Sequence, residues 1–184
     1  MQDANCTMAR PIQSAHAPAL ILKGRPAQPG DGLSIASRLR AADRAELTAA
    51  GVHDIPALLE AACARGYITI VGEDASGCPM LIFGTESAVQ FQSWGPSAAI
   101  WMLACEGIER HARQIARQSH SWTQAVIAAH GPGASGHNMV DARNALHLRW
   151  LKWCGAVFTG NAYFPTSPDL PFLEFYIPPC VSPS

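Results

Sequence analysis

The sequence is short of charge and of long apolar runs. Charged residues make up 15% of the 184 residues, and the net charge is −1. A balanced charge gives no attraction to polyanions, so neither nucleic acid nor an anionic membrane surface is expected as a partner. No apolar run reaches the roughly 18 residues that a membrane-spanning helix needs, and Met1–Arg10 has no apolar segment typical of a secretory signal.

The sequence also lacks the residue spacings of metal sites and of common nucleophile or phosphate motifs. Six cysteines occur without any Cys-x-x-Cys pair, which excludes the usual zinc frameworks and indicates reduced thiols. No His-x-x-x-His pair and no Gly-x-Ser-x-Gly sequence is present. The glycines of Gly131–Gly136 have no accompanying lysine, so this segment is interpreted as a connector between elements. We therefore expect no metal.

What is present is enough apolar sequence for one domain. Apolar residues make up 48% of the chain, and this much apolar surface with little charge suggests that a partner covers part of it. Residues 1–18 have no periodicity and are predicted to be an extended arm. Residues 19–178 are predicted to form the domain, and residues 179–184 an extended tail.

Periodicity and breakers predict the order of elements in the first half. A strand is expected over 19–23, a helix from Leu33 to Ala50, and a second helix from about Ile55 to Arg65, where Gly66 ends it. Strands are expected next, over 67–71, 79–83 and 88–92.

In the second half, a long helix is predicted over 97–118 and a strand over 122–129. A helix over about 140–153 is followed by a strand from Ala156 and a final strand over 172–177. Three sequential strands indicate an antiparallel meander, and the later strand–helix–strand units indicate parallel neighbours. The prediction is an α/β (α+β) fold, with a mixed, largely antiparallel central sheet of six to seven strands and helices on both faces.

The most specific stretch is Asn144–Phe158. Asparagine suits the first position before a helix, and Gly155 suits its end. Together with the order of elements, this helix–strand segment resembles the GCN5-related N-acetyltransferase (GNAT) superfamily. Over Leu20–Ile177 the sequence also resembles a phage protein family, internal virion protein A of short-tailed phages. That resemblance rests on Arg38–Leu47, Trp94-Gly95, Trp101–Leu103, Asn138–Asn144 and Arg149–Trp153.

The GNAT resemblance implies how acetyl-CoA would be bound. In working enzymes of this fold, a Gln/Arg-x-x-Gly-x-Gly/Ala loop before a helix holds the pyrophosphate on backbone N–H groups. Gln92, Gly95 and Ser97 match that spacing, and Asn144 matches an asparagine that contacts the pantetheine arm. Trp94 and Pro96 depart from the pattern, and an ordinary strand-to-helix turn remains open. For Asn144, a structural hydrogen bond is the alternative.

The catalytic position of the resemblance is occupied by an apolar residue. In the superfamily, a tyrosine seven residues after the asparagine protonates the departing thiolate; here that position is Leu151, which has no proton to give. No catalytic residue is therefore assigned.

The remaining conspicuous residues are candidates for partner contacts. Trp150 and Trp153 lie three residues apart and are expected to pack in the core or at an interface, while Asp141 and Arg143 can pair with a partner or cap the helix.

Two functions follow from the resemblances. The first is a bacteriophage virion protein, structural, internal or associated with the tail or portal. It would use the fold as an interaction scaffold without catalysis or cofactor, be assembled in the host cytoplasm, and contact other virion proteins in multiple symmetric copies. The alternative is an acetyl-CoA-dependent N-acetyltransferase.

Overall fold

A computed structural model describes residues 22–65, 68–87 and 97–179. The predicted arm over 1–18, the strand over 88–92, and Gln92, Trp94, Gly95 and Pro96 lie outside the described residues, as do all but the first residue of the predicted tail.

The first half of the domain contains three helices and four strands. A short strand precedes a run of three helices, and three longer strands follow. The bounds are β1 Lys23–Pro26, α1 Asp31–Ser37, α2 Ala41–Ala49, α3 Ile55–Arg65, β2 Ile68–Glu73, β3 Pro79–Ser87 and β4 Ser97–Ala104.

The second half alternates helices with strands. A 3₁₀ turn over Ile108–His111 leads into the longest helix. The bounds are α4 Ala112–Ala128, β5 Ser135–Asp141, α5 Ala145–Trp153, β6 Val157–Tyr163 and β7 Phe172–Ile177.

All seven strands join one sheet in the order β1-β2-β3-β4-β5-β7-β6. Every pairing is antiparallel except that of β4 with β5, which is parallel. The predicted fold class, a mixed and largely antiparallel sheet with helices on both faces, is confirmed. One apolar cluster contains α1 and α3 residues, and another contains residues of α4 and α5.

Several element boundaries predicted from sequence were wrong. The predicted helix over 97–118 begins with strand β4, because the apolar run Ala98–Leu103 pairs along its whole length with β3. The predicted strand over 122–129 lies almost entirely in α4. The predicted helix from Leu33 to Ala50 breaks between α1 and α2, where Leu39 forms an isolated bridge with Cys105.

The helix predicted over 140–153 starts later, since its first residues complete β5. The roles predicted for Asn144 and Gly155 at the two ends of this helix are confirmed. The side chain of Asn144 caps the first turn, and Gly155 follows the last turn with φ +89°. The amides of Gly155 and Ala156 donate to the carbonyls of Lys152 and Leu151, which is the hydrogen-bond pattern of a glycine-ended helix.

Gly84 brings β2, β3 and Trp101 close together. A Cβ atom on Gly84 would lie 2.2 Å from the Ile68 carbonyl oxygen and 3.1 Å from Cζ2 of Trp101. Trp101 is paired with Gly84 across β3 and β4. The missing side chain therefore makes room for the indole of Trp101 on the sheet face that carries α1 and α3.

Candidate functional site: an opening between β4 and β5

The sheet opens where the parallel pair of strands, β4 and β5, diverges. Strands β4 and β5 pair over three positions, from Ser97 with Ser135 to Ala99 with His137. Past this point the side chain of Asn138 spans the gap, donating from Nδ2 to the carbonyl oxygen of Ile100 at 2.7 Å. The remaining residues of β4 and β5 do not pair with each other, although β4 stays paired with β3 and β5 with β7.

Carboxylates of α2 bind the strands at the wide end of this opening. Buried Asp43 accepts a hydrogen bond from the Ala104 amide at 2.8 Å and pairs with Arg40 at 2.5 Å. Glu46, one turn further along α2, accepts a hydrogen bond from the Asp141 amide of β5 at 3.2 Å. Side chains thus satisfy backbone donors that a continuous sheet would pair with its own carbonyls.

A cavity of about 350 Å³ lies at the opening, and residues from both faces of the sheet line it. Leu58 and Leu59 of α3 and Trp101 line it from one face, while Trp122 of α4 and Trp150 of α5 line it from the other. The cavity is therefore bordered by the helices of both layers. Its walls are mostly apolar, which is typical of small-molecule sites.

Two tryptophans of the cavity wall carry unsatisfied donors. The Nε1 atoms of Trp101 and Trp150 are both buried and have no hydrogen-bond acceptor within the described part of the chain. An unpaired buried donor costs about 1–3 kcal/mol, so such groups are expected to meet a ligand or an ordered water. Trp101 of β4 and Trp150 of α5 lie on opposite faces of the sheet, so a ligand with acceptor atoms on both sides of the opening would satisfy both donors.

The edge of β4 adds backbone polar groups. The Ile100 carbonyl and the Ala104 amide both point into the opening, because their partners are Asn138 and Asp43. Successive residues of a strand direct their backbone N–H and C=O groups toward opposite edges. Met102 lies two residues from both Ile100 and Ala104, so its N–H and C=O face the same edge as theirs. A linear ligand with amide groups fits such an edge, as a partner strand would.

The start of helix α5 places Asn144 and His147 beside the Glu46 carboxylate of α2. Asn144 accepts the His147 amide at Oδ1 (3.2 Å) and donates from Nδ2 to Glu46 at 2.7 Å. His147 lines the cavity, with Nδ1 lying 3.4 Å from the same carboxylate. Both functional groups of Asn144 are engaged within the protein; its predicted contact with pantetheine stays a prediction.

Leu151 lies one turn after His147 on the same helix face. It is 1% exposed, lines the cavity and packs in the cluster shared by α4 and α5. The position that the resemblance gives to a catalytic acid is thus a buried apolar wall. The only titratable side chain of α5 that lines the cavity is His147.

The predicted partner residues are distributed differently. Asp141 is buried and binds the side chain of Arg143, whose guanidinium lowers the pKa of the Asp141 carboxyl. Trp153 is 64% exposed and donates from Nε1 to the Ala116 carbonyl, whereas Trp150 is partly buried against the core. Partner binding by these four residues stays a prediction.

Ser97 does not precede a helix, since it is the first residue of β4 and pairs with Ser135. The helix that follows β4 is α4, so the phosphate-binding segment of the resemblance falls at 105–111. That segment holds Glu106, Gly107 and Glu109 together with Arg110 and His111, and the Glu106 carboxylate accepts the Ala41 amide. Carboxylates are unfavourable beside a pyrophosphate. These two carboxylates depart from the phosphate-binding pattern of the resemblance.

Glu46 and His147 were missed as site residues in the sequence. They are separated by 101 positions, and neither belongs to a recognisable spacing. The one available signal was local: His147 precedes Leu151 by one helical turn, on the side of α5 that the GNAT resemblance places at the reaction centre.

The described ranges hold neither a cluster of potential metal ligands nor a helix that could span a membrane. Residues 22–65, 68–87 and 97–179 contain no group of three or more potential metal-binding side chains. No helix in these ranges is long and apolar enough to span a membrane.

The fold matches those of solved acetyltransferases. One matching structure, described as a GCN5-related N-acetyltransferase from Kribbella flavida, is 16% identical to this chain, with a TM-score of 0.60. The match covers 85% of this chain and 97% of that chain. A Salmonella typhimurium protein solved with its cofactor acetyl-CoA is 15% identical, with a TM-score of 0.61 and coverage of 89% and 97%.

A third match is the Vibrio cholerae spermidine N-acetyltransferase in complex with CoA and spermine. It is 15% identical with a TM-score of 0.56, and the match covers 85% of this chain and 95% of that chain. No protein-family model and no curated protein sequence matches this chain. The chain has a GNAT-like fold, and nothing in the comparisons supports the predicted phage virion family.

Proposed function

We propose that this protein is an acyl-CoA-dependent N-acyltransferase, most simply an acetyltransferase. The observation that carries this proposal is the cavity at the β4–β5 opening, bordered by both helix layers, with an unsatisfied indole donor on each face of the sheet. Acyl transfer needs two reactants to meet at one carbonyl carbon. An opening in the sheet lets them approach from opposite faces.

The pantetheine arm of the acyl donor lies along the free edge of β4. The Met102 N–H and C=O face that edge, and Trp150 Nε1 offers a further donor from α5. Backbone donors held in place by a strand need no rearrangement when the carbonyl oxygen gains negative charge during transfer. This chain therefore supplies carbonyl polarisation from its backbone.

His147 exchanges the protons. Glu46 binds Nδ1 of His147 and leaves Nε2 for proton exchange. In the transfer, the nitrogen–carbon bond forms and the carbon–sulfur bond breaks. His147 accepts the proton released by the attacking amine and returns a proton to the sulfur, a task that Leu151 cannot perform.

A thiol-release assay with acetyl-CoA and a panel of primary amines tests this proposal. The expected result is amine-dependent release of CoA that falls about 100-fold in His147→Ala and is retained in His120→Ala, an exposed α4 histidine. Because His147→Ala could perturb α5, circular dichroism and thermal unfolding should first show a folded variant. Equal rates in His147→Ala and the wild-type protein would contradict the role of His147.

A second candidate function is the non-catalytic virion scaffold. Two observations favour it. Buried Leu151 occupies the position of the catalytic acid, and segment 105–111, which would bind the pyrophosphate, contains carboxylates. Under this proposal the protein is incorporated into phage particles. Mass spectrometry of purified particles would detect it there, and its absence from them would overturn the scaffold proposal.

A further inference from the structure

The half of the cavity on the α2 and α3 face differs in chemistry from the other half. Its apolar wall comes from α2, α3, β4 and two neighbouring strands, namely from Leu47, Leu58, Trp101, Met139 and Phe172. Leu58 and Met139 are 42% and 37% exposed. We take these two side chains to mark the mouth of this half, which is named the α2–α3 pocket below.

Apart from His147, the ionisable side chains of the described cavity wall are acidic. Glu46 and Glu86 are both lining residues, and no lysine or arginine is among the described residues that line the cavity. Side chains alternate between the two faces of a strand, and Ile82 of β3 packs with α1 and α3. Glu86 lies four residues after Ile82, so it belongs to the same face, on the α2–α3 side. A ligand with a carboxylate or phosphate would find repulsion there, whereas an ammonium would find an ion pair.

Trp101 gives the pocket two further preferences. An indole face attracts an ammonium group in addition to apolar groups. Its buried Nε1 donor lacks an acceptor within the described chain, and a neutral oxygen on the ligand would supply one. The rest of the wall is apolar, so a second ammonium would lose its hydration without gaining a partner.

From these observations we infer that the α2–α3 pocket binds a small primary ammonium compound with an apolar body, a neutral acceptor oxygen and no second charge. This inference rests on the proposed function, for which it names the class of acyl acceptor. It excludes free amino acids, whose carboxylate would face Glu46 and Glu86, and it excludes polyamines, whose further charges would enter an apolar wall.

Four probes separate the required features. L-phenylalaninamide has all of them. 3-Phenylpropanamide lacks the ammonium, L-phenylalanine replaces the neutral amide by a carboxylate, and putrescine lacks the apolar body and carries two charges. Calorimetric titrations at pH 6.5, below the ordinary α-amino pKa of about 7.7–8.0, keep the amines protonated. Each titration is done with the protein alone and again with saturating CoA.

L-phenylalaninamide is expected to bind at least about tenfold more tightly than each of the other three probes. Glu86→Gln should weaken L-phenylalaninamide about three- to tenfold and leave 3-phenylpropanamide unchanged. Asp169→Asn removes an exposed carboxylate outside the cavity and should change neither affinity.

Tighter binding of putrescine or L-phenylalanine would overturn the inferred class, as would the absence of binding by every probe with and without CoA. Titration with acetyl-CoA alone reports separately on the proposed function. If acetyl-CoA binds but no amine probe does, the acceptor class is wrong and the acyltransferase proposal stands. If L-phenylalaninamide binds but acetyl-CoA does not, the pocket is an amine site without acyltransferase activity.

Discussion

The two halves of the sheet are held together in different ways. Strands β3 and β4 pair from Leu81 with Ala104 to Ser87 with Ala98, so the first half is joined by backbone along the whole of β4. Strands β4 and β5 pair over three positions only, and beyond these positions side chains form hydrogen bonds with the two strands. Backbone pairing excludes ligands, whereas side chains can hold two strands apart. The opening between the halves is therefore where chemistry can occur.

The side chains at this opening come from distant parts of the chain. Asn138 spans its narrow end, while Asp43 and Glu46 of α2 bind its wide end. Because α2 bridges both strands, it fixes the spacing between the two halves and also places the Glu46 carboxylate beside His147. Variants in the first half that lie away from the cavity should affect stability alone, and variants at the opening should affect stability and ligand binding together.

The largest expected effect is in the backbone-paired half. Gly84→Ala places a Cβ atom 2.2 Å from the carbonyl oxygen of Ile68, and backbone cannot move aside as a flexible side chain can. We expect the free energy of unfolding to fall by about 3 kcal/mol or more, measured by urea denaturation. Gly24→Ala in β1 is the matched control, because its Cβ would lie 3.6 Å from Ile70 Cγ2 and should change stability by only about 0.5 kcal/mol. Similar losses in the two variants would contradict this packing.

The next largest effect is expected at the wide end of the opening. Asp43→Ala leaves the Ala104 amide and the Arg40 guanidinium without their shared carboxylate, which should cost about 3 kcal/mol of unfolding free energy. Asp43→Asn keeps an acceptor oxygen for the amide and should cost less. Equal stability of Asp43→Ala and the wild-type protein would show that α2 does not hold β4.

A smaller effect is expected where α5 meets the opening. Asn144→Ala removes the cap of α5 and the donor to Glu46, and should cost about 1 kcal/mol. Asn144→Ser restores a capping oxygen but not the bond to Glu46. Thermal unfolding of the two variants separates these contributions. If Asn144→Ser is as unstable as Asn144→Ala, the cap contributes little.

How far the sequence predicts this structure depends on whether its signals are local. The asparagine and glycine that bound α5 were recognised in the sequence because each acts on its own helix turn. The apolar run of β4 was misassigned because a buried strand and a buried helix look alike over such a short stretch. The meeting of Glu46 with His147 is a tertiary contact between α2 and α5, and no local spacing reports it.

The smallest expected effect is a dependence of stability on pH in β5. Burial lowers the pKa of His137, which is hydrogen-bonded to Ser135. Below the ordinary histidine pKa of 6.5, the unfolded chain takes up a proton that the folded chain does not, so stability falls as the pH decreases through this range. Urea denaturation at pH 7.5 and 5.5 should show a smaller pH-dependent loss in His137→Gln. An unchanged pH dependence in His137→Gln would contradict the burial argument. Burial also lowers the imidazole pKa of His130, so the same comparison for His130→Gln separates the contributions of the two histidines.

The central claim is that the opening between the two halves binds an acyl-CoA, and calorimetric titration with acetyl-CoA tests it most directly. The wild-type protein should bind with a dissociation constant in the micromolar range, and Trp150→Phe should weaken binding about fivefold by removing one hydrogen-bond donor. Trp153→Phe, whose indole lies outside the cavity and donates to Ala116, should bind as the wild type does. No binding at millimolar acetyl-CoA, or equal weakening by the two substitutions, would contradict the claim.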